Sequence, residues 1–154
     1  MATSELLFEN PDEGILRENL LSVEAEKEVK GFKKFDDRKQ REEKGSPSIT
    51  QLRKFYNDVL TLKSKIEHYD EGKREKHFKQ LLPYVKMLKA KVAYAKSKEH
   101  VNDEFKEFIN KYVDSIKDLD DFYAFCHFFE AIVAYGAYLE EEFKHKKKLN
   151  SKRY

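Results

Sequence analysis

A single cysteine, Cys126, excludes an internal disulfide and leaves no second thiol for a cysteine-based zinc site. Glycine and proline are nearly as scarce, with 5 and 3 in 154 residues. β-Sandwiches and barrels need a turn signal roughly every 8–12 residues, so this scarcity argues against them. Tryptophan is absent, yet 12 Phe and 9 Tyr supply enough apolar surface for a core and exclude wholesale disorder. There is no glycine-rich phosphate loop. The five histidines (His68, His77, His100, His127, His145) include no pair at the helical spacing that lets two imidazoles share a metal. The stretch from Met1 to Gly14 is acidic and lacks a long apolar run, so no signal peptide is expected. The length of 154 residues suits one domain. These exclusions leave the expectation of a soluble, charge-rich, intracellular, all-α protein.

Charge is what the chain has in abundance: 39% of residues are charged, against a norm of about 25%. The net charge of +2 hides an asymmetry, because the chain up to Lys44 carries 9 basic and 12 acidic residues and the remainder is net +5. Lysine outnumbers arginine 25 to 6. Lysine is a flexible point charge suited to phosphates, whereas base edges favour the planar arginine fork.

Hydrophobic spacing predicts a compact helical bundle of about five to six helices. Ile15 to Lys44 has an irregular apolar stripe interrupted by Gly31, and reads as either an exposed helix or an arm that orders on a partner. After the break at Gly45-Ser46-Pro47-Ser48, the capping box Ser48-Ile49-Thr50-Gln51 opens a helix with Leu52, Phe55, Tyr56, Val59 and Ile66 on one face. Lys73 to Lys98 is a second helical stretch, in which Pro83 either kinks the helix or starts a new one. Asn102 to Ile116 is the next. The last starts at Asp118 or Asp120, runs to about Lys144, and is apolar on nearly all sides. The predicted organisation is a charged N-terminal arm or helix over 1–45, a bundle over 46–145 and a basic tail over 146–154.

Catalytic chemistry has little to stand on. Cys126 and His127 point about 100° apart on a helix and cannot form a dyad with each other; Cys126 reads as a small buried hydrophobe. Asp118, Asp120 and Asp121 read as helix caps rather than metal ligands. Phe122 to Leu139 is 18 residues long and contains Glu130. A central acid costs roughly 2.5–3.5 kcal/mol on membrane insertion, so this stretch reads as a buried core helix. Glu130 in so apolar a segment calls for a partner, and Arg53 is a candidate for that ion pair or for a phosphate contact.

The basic stretch is more specific. Lys73 to Lys98 carries nine basic residues and one acid, Glu75. Lys79, Lys86, Lys89 and Lys96 lie on one flank of its apolar stripe, and Lys91 and Lys98 share the other, one heptad apart. Solvated faces ordinarily mix signs. This one is an electrostatic footprint for polyanions.

Three blocks carry a resemblance: Gln51-Leu52-Arg53-Lys54-Phe55-Tyr56-Asn57, the run from Leu88 to Lys98, and Phe128-Phe129-Glu130-Ala131-Ile132-Val133-Ala134-Tyr135. In this order and spacing, over about Ser48 to Tyr138, the chain resembles the small helical subunit of type III-A CRISPR interference complexes, the Csm small-subunit family. Relatives carry Pro where this chain has Ala90, and Gly-Arg where it has Ser97-Lys98. The resemblance implies a non-catalytic RNA-binding subunit whose copies stack along a filament or pair as a homodimer. Such a subunit helps hold the duplex of guide RNA and target RNA while other subunits of the complex cut. The RNA-binding residues expected are Arg53, Lys54, Lys86, Lys89, Lys91, Lys96 and Lys98, with no metal, cofactor or membrane. Competing readings are a homo-oligomeric helical adaptor without nucleic acid, and a small hydrolase or ligand carrier using Cys126, His127 and Glu130.

Overall fold

The structure is a computed structural model describing residues 6–152. Within these residues six α-helices carry the fold: α1 (Ala25–Phe32), α2 (Ile49–Glu67), α3 (Arg74–Lys86), α4 (Leu88–Ser97), α5 (Asp103–Asp114) and α6 (Leu119–Ser151). The bundle matches the mostly helical class expected. It adds two small antiparallel hairpins around α1, pairing β1 (Phe8–Asn10) with β2 (Ile15–Leu16) and β3 (Phe35–Asp36) with β4 (Arg41–Glu42).

Polar side chains fix where the helices begin. Ser48 Oγ accepts the N–H of Gln51 at 3.2 Å, as the capping box predicts, although the Gln51 side chain turns into a groove. Asn102 does two jobs: its Oδ1 accepts the Phe105 N–H at 3.0 Å, and its Nδ2 donates to the Phe32 carbonyl at 2.7 Å. That second bond ties the end of α1 to the start of α5. Asp118 accepts the Asp121 N–H at 2.8 Å, and Asp121 accepts the Lys117 N–H at 3.0 Å, so both aspartates are spent on capping α6.

At Pro83 the chain does not start a new helix. α3 passes through it, and the break falls at Met87. Pro83 is on the exposed side, where water can take the carbonyl that the missing N–H leaves free. The Met87 N–H still bonds to the Pro83 carbonyl at 3.0 Å and the Lys91 N–H to the Met87 carbonyl at 3.1 Å. The side-chain register therefore carries over from α3 to α4.

α6 is the central element, with Phe122, Phe125, Phe128, Phe129 and Ile132 all buried, and α1 and α2 packed along it. By length and composition it is the one helix among the described residues that could cross a membrane; here its four phenylalanines from Phe122 to Phe129 are inside the domain. Gly136 lets α2 approach closely, since a Cβ there would lie 2.6 Å from Leu52 Cδ1.

The segment from Ile15 to Lys44 is neither one exposed helix nor a free arm. Ala25, Val29 and Phe32 are buried, and the Phe32 ring lies 5.0 Å from Phe105 and 5.2 Å from Phe108. A π-helical turn over Leu20–Glu24 precedes α1 and shifts the periodicity, which makes the apolar stripe irregular. Lys33 then buries its ammonium, which donates to Glu42 at 2.7 Å and to the Pro47 carbonyl at 3.0 Å. At the other end, α6 stays helical through Ser151, beyond the expected end near Lys144, with Lys146–Glu142 and Lys144–Glu141 pairs at 3.1 and 3.7 Å.

Candidate nucleic-acid interface

The first half of α2 and the length of α4 enclose a groove of about 570 Å³. Phe55 and Ala95, both buried, form its floor. Lys54 comes from α2, and Lys91 and Lys98 from α4. Tyr94 is 65% exposed on the rim, and the Lys98 ammonium lies 5.6 Å from its ring centroid. Lys91 stands 3.4 Å from Asp58, with both side chains more than a third exposed. Such a pair is worth little in water, so Asp58 holds Lys91 only weakly.

Lys86, Lys89 and Lys96 face α5 instead. Lys89 pairs with Asp114 at 2.7 Å and Lys96 with Asp103 at 3.7 Å, so acids of α5 offset their charge. Lys86 is turned to the backbone at the end of α5. Its Nζ donates to the carbonyls of Val113 at 2.7 Å and Ile116 at 2.9 Å, satisfying backbone acceptors at the end of α5. Burial holds its pKa below the usual lysine range. Lys86→Met is therefore expected to cost about 1–3 kcal/mol of stability in urea titration, because two carbonyls lose their donor. RNA affinity of the folded variant should not change.

Arg53 is exposed on α2 and points about 100° away from Lys54, outside the groove. The expected reason for an Arg53–Glu130 pair is absent, because Glu130 is exposed and needs no partner. Among the described residues Arg53 makes no ion pair with it. α6 keeps one narrow wet strip, His127, Glu130, Ala134 and Tyr138, at steps of three and four. Glu130 therefore stands with exposed neighbours on that strip.

Cys126 is buried, and burial pushes its thiol up to about 12; His127 beside it is exposed. Among the described residues no three His, Cys, Asp or Glu side chains gather as a metal site.

Fold and groove together define a helical-bundle protein with a cationic cleft between two of its helices. The family model described as Csm2 Type III-A matches residues 38–142, from the β3–β4 hairpin into α6. The chain belongs to that family, and so to the small subunits of type III-A (Csm) CRISPR complexes. No curated protein and no solved structure matches it.

Proposed function

We propose that this chain is a non-catalytic, RNA-binding small subunit that helps hold the duplex of guide RNA and target RNA in the cytoplasm, in antiviral defence. The observation that carries the reading is the convergence of Lys54, Lys91 and Lys98, from two helices, on one groove with an exposed tyrosine. Ammonium groups bind phosphates without regard to sequence, which suits a subunit whose guide supplies recognition by base pairing. Lys89 and Lys96 form an outer rim on the α5 side, and Arg53 flanks the groove on the far side of α2. Other subunits of the complex and further copies of this chain are its protein partners, with the bundle over 46–145 facing RNA.

Binding of the purified chain to several unrelated RNA duplexes tests this. Affinities should be nearly equal across sequences, and log K should fall linearly with log salt by roughly 0.7–0.9 per phosphate neutralised. Labelled RNA should remain intact with magnesium or manganese present. Failure to retain RNA at low salt would favour the adaptor reading, and cleavage that co-purifies at constant specific activity would overturn the non-catalytic one.

A further inference from the structure

Beyond Met87 from the α2–α4 groove lies a second cavity, of about 610 Å³, between the last turns of α2 and the body of α3. Helical periodicity puts the two in line along one α2–α3/α4 seam. Lys54, Asp58, Thr61, Lys65 and His68 follow one another along a single flank of α2. Facing them, His77, Tyr84, Lys91 and Lys98 recur every seventh residue, in a register that the backbone bonds at Met87 preserve. Tyr84 and Lys91 are therefore about 10 Å apart along the helix axis.

The chemistry changes along this seam. Its α4 end presents ammonium groups. Its α3 end presents the rings of Tyr69, His77 and Tyr84 together with Gln80, and Lys65 as the cation. Tyr69 and His77 lie parallel, with centroids 3.7 Å apart and planes 10° apart. Arg74 fixes this corner by donating to the Tyr69 carbonyl at 3.0 Å and the Glu67 carbonyl at 3.3 Å. Tyr84 is 57% exposed and Tyr69 38%, so neither ring is fully used by the core. The volume lies within the about 300–1,000 Å³ of small-molecule sites. Flat π-faces, an amide that both donates and accepts, and a neighbouring cation are what a nucleobase and its phosphate require.

The geometry points to a stacking subsite in the Tyr69–His77–Tyr84 cavity for an unpaired nucleobase of the RNA whose phosphates lie in the α2–α4 groove. This deepens the proposed function and rests on it. Phosphates seated on Lys91 and Lys98 bring the adjoining nucleotide to Tyr84, where the seam turns from cationic to aromatic.

Two RNAs separate base from backbone: one with unpaired adenosines, and the same strand with abasic residues at those positions. The full chain should bind the first more tightly. Tyr84→Ala should weaken that binding about 5–150-fold, without changing affinity for the abasic strand or the salt slope of either. Tyr84→Phe should retain binding. In the unsubstituted complex, 2-aminopurine at the unpaired position should lose emission through stacking. Equal losses on both strands, no loss with Tyr84→Ala, or unquenched 2-aminopurine would overturn the subsite. Failure of the phosphate groove has a different signature: substitution of Lys54, Lys91 and Lys98 would leave the salt slope intact while the Tyr84 effect persists. A chain that binds neither strand would overturn both.

Discussion

Replacing Lys54, Lys91 and Lys98 together by alanine is expected to flatten the dependence of log K on log salt by about 2–3, at roughly 0.7–0.9 for each phosphate no longer neutralised. At 0.1 M salt that slope difference corresponds to about 10²–10³-fold weaker RNA binding. The loss should be the same for unrelated RNAs, since phosphates carry no sequence. Folding should be nearly unaffected, because Lys54 and Lys98 are exposed and Lys91 gives up only a surface pair with Asp58. Lys89 and Lys96 form the natural control. Asp114 and Asp103 already offset their charges, so their double alanine variant should change the slope by less. A triple variant with an unchanged slope, beside a Lys89/Lys96 variant with a flattened one, would move the interface to the α5 side.

Phe32→Ala should cost about 3–5 kcal/mol, read as a lower midpoint in urea titration with an unchanged slope. Its ring is 1% exposed and sits against Phe105 and Phe108, so truncation opens a cavity between α1 and α5. The carbonyl of the same residue accepts from Asn102, which holds the backbone in place and limits how far the site can collapse. This variant decides the standing of the segment before Gly45. A free arm would lose almost nothing, and a cost below about 1 kcal/mol would show that α1 does not belong to the core.

That segment also shows where reading the sequence stops. α2 and α5 were legible because their apolar residues keep a 3.6-residue period, α6 because its apolar run is long, and all three because their caps, Ser48, Asn102 and Asp118, are of the usual types. α1 was not. It is eight residues long, follows a π-turn, and is fixed by contacts distant in sequence, such as Phe32 with Phe105 and Lys33 with Pro47. The candidate site divides in the same way. The heptad relation of Lys91 and Lys98 was visible; extended backward it reaches Tyr84 and His77, which the charge pattern alone does not single out. The bonding of Lys86 was not visible, because its partners are backbone carbonyls about thirty residues further on. Glu130 was misplaced for another reason. The apolar content of a helix says that most of it is buried, but the position of its remaining wet strip depends on how neighbouring helices flank it.

The most direct measurement is ultraviolet cross-linking of the chain to RNA within a reconstituted type III-A complex, with the linked peptides identified by mass spectrometry. Links are predicted in the α2 peptide containing Lys54 and in the α4 peptide containing Lys91, Tyr94 and Lys98. Links confined to the exposed lysines at the end of α6, Lys144 to Lys148, or to the face of α5, would contradict a phosphate groove between α2 and α4.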